Sequence, residues 1–234
     1  MRASAPDRSP RTLVLWDIDH TLIETRGVGK VIYERAFPTA TGRPLTNLAE
    51  IAGRTELDIM RETLRLNDIE PTEAAIHALV GALIQGYEDA RDELASTGRA
   101  LPGARDTLRV LDADPLVHQA VLSGNLRAVS RIKLEVFGLV QYLDLTSSAY
   151  GDDHDDRAAL VTLAQQRAAE HTGVHFDNHH TVLIGDTPND VRAALTAGVQ
   201  VIAVATGKSS INELISAGAM STITHLRDVR IFVV

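Results

Sequence analysis

Residues 12–22, TLVLWDIDHTL, constrain this chain more than any other stretch. Leu13 to Trp16 read as a buried β-strand that runs directly into two carboxylates, Asp17 and Asp19. Side chains two apart in an extended chain point the same way. Both acids therefore leave the strand's carboxyl end together, against an apolar background. Burying two carboxylates is costly unless a proton or a cation compensates them. The fold must place a compensating group there, and chemistry is expected at that strand end.

From Leu101 onward, apolar strands alternate with helices. Strands are expected at Val117–Leu122, Tyr142–Ser147, Thr181–Ile184, Val199–Ala205 and Ser221–Thr224. Helices are expected at Ala104–Leu111, Ala128–Phe137, Arg157–Glu170, Val191–Ala197 and Ser210–Ala217. This alternation predicts an α/β fold with a Rossmann-like, doubly wound parallel sheet. Between Val31 and Gly98 the pattern is helical throughout. Leu57, Met60, Leu64 and Leu66 form one periodic set, and Ile76, Leu79, Val80, Leu83, Ile84 and Tyr87 another. Pro71-Thr72-Glu73 reads as a helix start, and Glu24–Lys30 as a loop.

The expected organisation is an α/β core from 11–23 and 101–234, with a helical cap, 24–100, inserted after the first strand. Residues 1–10, polar and Pro-containing, read as a disordered lead.

With 44% hydrophobic residues the chain can bury a full core. Its net charge of −8 argues against a nucleic-acid or membrane-surface partner. The helical insertion carries nine Lys/Arg and thirteen Asp/Glu, a balance of −4, and does not suit a polyanion. There is no cysteine, which excludes disulfides, thiolate metal sites and a cysteine nucleophile, and a cytoplasmic setting is expected. A monomer or a homodimer is expected.

In open α/β sheets ligands bind beyond the carboxyl ends of the strands. Three strands here end in polar groups: Asp17 and Asp19; Ser123-Gly124-Asn125; and Asp186 with Asp190 in GDTPND. If these strands are neighbours, three or four carboxylates crowd one cleft and repel each other. A hard divalent cation resolves the conflict, and Mg²⁺ takes oxygen ligands while binding a phosphate. Ser123 offers a hydroxyl, and Gly124 exposes backbone N–H groups to an anion. The set predicts a phosphate and Mg²⁺ together. Asp17 is then the expected nucleophile, forming an aspartyl-phosphate, and Asp19 the general acid and base. A Lys or Arg is needed to offset the charge of the phosphoryl group.

Asp17-Ile18-Asp19-His20-Thr21, Ser123-Gly124-Asn125 and GDTPND resemble three of the four motifs of the haloacid dehalogenase (HAD) superfamily. The helical insertion resembles the cap of its phosphoglycolate-phosphatase-like and β-phosphoglucomutase-like branch. By this resemblance Asp17 is nucleophile and Mg²⁺ ligand, and Asp19 is acid/base and gives its backbone carbonyl to the metal. Ser123 and Asn125 hold phosphate, with Gly124 and Thr21 beside them; Asp186 binds Mg²⁺, and Asp190 supports the metal shell. The fourth motif's Lys is replaced. Its place reads GDDHDDRAAL, which makes Arg157 the candidate and Lys133 the rival. His20 stands where the family usually has Gly. Gly53-Arg54-Thr55 matches a cap stretch that faces the core site, so Arg54 is expected to touch substrate.

The favoured function is a Mg²⁺-dependent phosphatase for a small phosphomonoester. The alternatives are a phosphomutase on the same scaffold, a haloacid dehalogenase and a non-catalytic binding protein. Asp19 and Asp186 speak against the dehalogenase, and the presence of both Asp17 and Asp19 against the non-catalytic protein. The acidic run Asp152–Asp156 is expected to serve a helix start, not a calcium loop. His171, His175, His179 and His180 are expected on a polar surface turn, not around zinc.

Overall fold

The computed structural model describes residues 11–229 and Val233. The lead assigned to 1–10 lies outside the described residues. Strand β1, Thr12–Trp16, is followed by a short β2, Ile23–Glu24, and by helices α1, Val28–Thr41, α2, Glu56–Leu66, α3, Glu73–Asp89, and α4, Arg91–Thr97. Strand β3, Arg99–Ala100, then leads into α5, Ala104–Asp112, β4, Val117–Ser123, α6, Arg127–Val136, and β5, Asp144–Tyr150. The remainder is α7, Arg157–Thr172, β6, Thr181–Gly185, α8, Pro188–Ala197, β7, Gln200–Val204, α9, Ile211–Ser216, and β8, Ser221–Ile223.

Six strands form one parallel sheet in the order β5-β4-β1-β6-β7-β8. The α/β expectation holds, and β1 lies centrally between β4 and β6. Its side chains alternate between two apolar clusters, as a period of two requires. Leu13 and Leu15 pack with α7 and α8, through residues such as Val161, Ala164 and Val191. Val14 and Trp16 belong to the opposite cluster, which continues through Leu108 and Leu134 to Phe37, Met60 and Leu83 of the inserted helices. Trp16 is fully buried, and its indole N–H donates to Gln119 Oε1 at 3.1 Å.

Chain entry and exit around α1–α4 are tied together. Ile23 and Glu24 pair antiparallel with Ala100 and Arg99, so Glu24 is strand where the sequence suggests a loop, and Val28 already begins α1. The partner strand is more than seventy residues away, which local pattern does not reveal. Thr72 caps α3 by accepting from the Ala75 N–H, and Leu79, Leu83 and Tyr87 form its buried stripe. Leu66, expected inside, is exposed at the end of α2.

Two further boundaries move. Residues 140–142 form a 3₁₀ turn, and the strand expected from Tyr142 starts at Asp144 and runs on to Tyr150. Its buried half, Ser147 to Tyr150, pairs beside Leu122 and Ser123 with small and polar residues, and so lacks a strand-like apolar signature. Helix α8 starts at Pro188, earlier than Val191, because Thr187 and Asp190 cap it reciprocally. Among the described residues no helix is long and apolar enough to cross a membrane.

Candidate active site

Because β4, β1 and β6 are neighbours, their carboxyl ends deliver three polar segments to one place. Asp17 continues the ladder, its N–H donating to Ile184 O at 2.9 Å, and its side chain is buried. Asp186 follows β6, and Asp190 sits in the first turn of α8. Ligand oxygens of Asp17, Asp186 and Asp190 all lie within 4.8 Å of one another. The Thr21 hydroxyl stands between two of them, 3.2 Å from Asp17 Oδ2 and 3.3 Å from Asp186 Oδ1. It has one proton and satisfies one acid at a time.

Asp190 is fully buried, and Oδ2 accepts from the Thr187 N–H and hydroxyl at 3.0 and 2.6 Å. Its other oxygen accepts from Arg157, whose same nitrogen donates to Asp17 Oδ1 at 2.7 Å. Arg157 is the first residue of α7. Asp156 caps that helix by accepting from the Ala158 N–H at 2.9 Å, which fixes where the guanidinium departs.

Lys133, on α6, is as buried as Arg157. Its ammonium donates to Asp19 Oδ2 at 2.7 Å and Asn125 Oδ1 at 2.8 Å. Asn125 also donates to Asp19 Oδ2 at 2.7 Å and to Ser123 Oγ at 2.8 Å. The sequence leaves Arg157 and Lys133 as rivals, yet the structure brings both to the site. Arg157 serves Asp17 and Asp190, and Lys133 serves Asp19 and Asn125. The two lie on different helices that converge only when the sheet forms.

The electrostatics separate the acids. Burial, then the neighbouring Asp190, pushes Asp17 up to about 7 despite Arg157. Burial, then Asp17 and Asp190, pushes Asp186 up to about 9. Burial also acts upward on Asp19, but Lys133 and Asn125 outweigh it and hold the carboxyl below its ordinary value. The first two are acids short of positive charge, and the third already has its cation. Arg157 alone does not neutralise three clustered carboxylates, and their all-oxygen donor set fits a hard dication. The cluster can hold a metal ion.

Several glycines are required by close approach, Gly124 and Gly207 among them. A Cβ on Gly124 would stand 2.1 Å from the Arg54 carbonyl oxygen, where the helical insertion meets the Ser123 loop. One on Gly207 would stand 1.8 Å from Asp186 Oδ2. His20 adopts φ of 62°, the left-handed region that Gly prefers. The turn survives the replacement because the His20 N–H donates to Ile23 O at 2.7 Å and its carbonyl accepts from Thr206 Oγ1 at 2.6 Å.

Arg54 reaches the site with its backbone, whereas its guanidinium is paired with Asp58, at 2.7 Å, and with Glu62. Both acids lie on α2 and hold the side chain at the edge of the helical insertion. Within the acidic run Asp156 serves the helix start, and the other acids turn to neighbouring elements. Asp153 pairs with Arg167, Asp155 with Arg61, Asp152 accepts from the Arg127 N–H and Asp156 caps α7. His180 pairs with Asp177 at 2.8 Å.

Residues 14–195 match the haloacid dehalogenase-like hydrolase family, most of the chain's length. The chain belongs to that family. This hydrolase is 25% identical over 206 residues to a phosphoglycolate phosphatase of Agrobacterium fabrum, covering 85% of this chain and 82% of that one. Its fold matches that of a hydrolase from Pseudomonas syringae with a TM-score of 0.69 at 21% identity, over 94% of this chain and 96% of that one. It also matches a proposed β-phosphoglucomutase from Thermotoga maritima, TM-score 0.58 at 18% identity, over 93% and 96%.

Three residues that the sequence does not single out also stand at the hydrolase's site. Glu56, directly after Gly53-Arg54-Thr55, is buried, and its N–H donates to Gly124 O at 2.7 Å. Tyr87 places its ring 5.2 Å from the Lys133 ammonium. Gly207 closes over Asp186. Only the position of Glu56 beside a recognisable stretch gave a signal in advance.

Proposed function

We propose that this hydrolase is a Mg²⁺-dependent phosphatase acting on a small phosphomonoester through an aspartyl-phosphate on Asp17. The observation that carries the reading is the buried cluster of Asp17, Asp186 and Asp190 beside the Asp19–Lys133–Asn125 network. The phosphoglycolate phosphatase relative supports it.

Asp17, Asp186 and the Asp19 backbone carbonyl would hold Mg²⁺, with Asp190 behind them. The ion supplies positive charge that lets a carboxylate approach a phosphate dianion. Ser123, Asn125 and the Gly124 N–H bind phosphate oxygens, with Thr21 and Arg157 alongside. Asp17 attacks phosphorus as the ester P–O bond breaks, and Asp19 gives its proton to the leaving oxygen. Water then attacks the phosphorus, Asp19 takes its proton, and the bond to Asp17 breaks to release phosphate.

The pairing of Asp19 with Lys133 suits the second step, where an ionised carboxylate is needed. A phosphoryl group that draws Lys133 away raises the proton affinity of Asp19, as the first step needs. Residues 24–100 act as the cap that excludes bulk water, with Gly124 as their contact point.

Hydrolysis of p-nitrophenyl phosphate with Mg²⁺ tests this. We expect free phosphate as product, and loss of at least about a thousandfold in kcat for Asp17→Asn. Undiminished turnover by that variant would refute the assignment.

A further inference from the structure

A second cluster of ligating side chains stands at the other end of the sheet. His118 is the second residue of β4 and Asp144 the first of β5, so both lie at the amino ends of neighbouring strands. The acid cluster lies beyond the carboxyl ends. His171 belongs to the last turn of α7, fourteen residues after Arg157 and so about 21 Å along the helix from it. Both imidazoles bring Nε2 to one carboxylate oxygen, Asp144 Oδ2, at 3.1 Å from His118 and 3.9 Å from His171. With Asp112, Gln119 and Tyr142 they line a cavity of about 320 Å³, and none of its lining residues is Lys or Arg.

Two of the three groups are held in place. His118 stacks on Phe176 with ring centroids 6.0 Å apart, and its Nε2 also lies 3.0 Å from Ser147 Oγ. Asp144 Oδ1 accepts from the Thr146 N–H at 2.8 Å, and Oδ2 accepts from the hydroxyl of the fully buried Ser147. The His118 and Asp144 side chains are 16% and 18% exposed, whereas that of His171 is 51% exposed and has room to turn. Burial holds the His118 imidazole below its ordinary value, so it is neutral at pH 7 and offers a lone pair. Burial acts upward on Asp144, but the Ser147 hydroxyl and the Thr146 N–H outweigh it and keep the carboxyl ionised.

Two imidazoles and a carboxylate on a polar cavity are the donor set of a borderline dication such as Zn²⁺, whereas Mg²⁺ prefers oxygen alone. Ligand atoms around tetrahedral Zn²⁺, with bonds of about 2.1 Å, stand roughly 3.4 Å apart. The separation of His118 from Asp144 is already close to this, and His171 completes the set by turning inward. The sequence groups His171 with His175, His179 and His180; the structure turns it toward Asp144, while His180 pairs with Asp177.

We infer that His118, Asp144 and His171 form a Zn²⁺ site, distinct from the acid cluster, with water in the remaining position. The ion pins the last turn of α7 to the amino ends of β4 and β5, and Ser147 orients the ligating carboxylate from behind.

Isothermal titration of the full chain with Zn²⁺, in saturating Mg²⁺ at pH 7, tests this. We expect one Zn²⁺ per chain with a micromolar or lower Kd. His171→Ala, at a half-exposed position, should weaken binding at least tenfold, and Asp144→Asn likewise, with thermal unfolding in EDTA confirming that each variant is folded. Asp186→Asn and His180→Ala should leave the titration unchanged, which separates this site from the acid cluster and from the surface histidines. Absence of Zn²⁺ binding means that the cluster is only a hydrogen-bond network and overturns the inference. So does a smaller loss in His171→Ala, or a site that disappears in Asp186→Asn or His180→Ala.

Discussion

Removing one carboxylate from the acid cluster should stabilise the metal-free protein while abolishing its response to metal. Asp186→Asn is the cleanest case, because Asn is nearly isosteric with the protonated acid and its amide oxygen can still accept from Thr21, now at 3.3 Å. Asp186 is pushed from 3.8 up to about 9 by burial and by Asp17 and Asp190. At pH 7 the folded chain must therefore hold a proton that the unfolded chain has released. Each pH unit above the unfolded value costs ~1.4 kcal/mol, or about 4 kcal/mol over this interval. Water entry and side-chain movement reduce this, and about 2 kcal/mol is a fair expectation for the gain in Asp186→Asn. For a chain of this size that raises Tm by roughly 4–8 °C. The assay is thermal unfolding at pH 7 in EDTA and in excess Mg²⁺. Wild type should gain about 2–3 kcal/mol at a hundred times the dissociation constant, and the variant far less. Phosphatase activity should be lost in the variant that melts higher. A lower Tm than wild type in EDTA, or an equal Mg²⁺ response, would refute the electrostatic account.

Acidity tests the same cluster differently. Asp17 and Asp186 have raised values, so their contribution to metal-free stability is complete below about pH 4 and is lost as pH rises through about 7 and then about 9. Metal binding must displace those protons, so the Mg²⁺-induced rise in Tm should grow by at least about 2 °C per unit between pH 5 and 7; a flat difference counts against it. Lys133→Ala leaves Asp19 buried without its cation and should cost about 3–5 kcal/mol, read by urea unfolding, with Lys133→Met costing the same or more if charge pairing outweighs packing. Gly124→Ala forces the Arg54 carbonyl away from the Ser123 loop and should lower kcat/KM at least tenfold with secondary structure intact by circular dichroism.

Much of this protein is written along the chain. The run from Leu13 to Asp19, the polar ends of β4 and β6, and the helical spacing between residues 31 and 98 are local patterns, and local patterns carry the α/β class and the acid set. Strand order is not local. That β1 lies between β4 and β6 follows from pairings over a hundred residues apart, and only those pairings bring Asp17, Asn125 and Asp186 together. The same holds for the two cations. The sequence offers Arg157 or Lys133; packing of α6 and α7 on opposite sides of the sheet brings in both, one for each pair of polar partners. Arg54, just ahead of α2, pairs with Asp58 and Glu62 of that helix, a geometry that residue order does not record. Glu56 stands at the site for the converse reason: its N–H meets the Gly124 carbonyl, which lies on a distant stretch of the chain. Residue type and spacing determined which groups were available for chemistry, since they depend on periods of two and 3.6. Tertiary packing alone decided which charge faces which, because Coulomb energy depends on distance through space and on burial, neither of which the order of residues records.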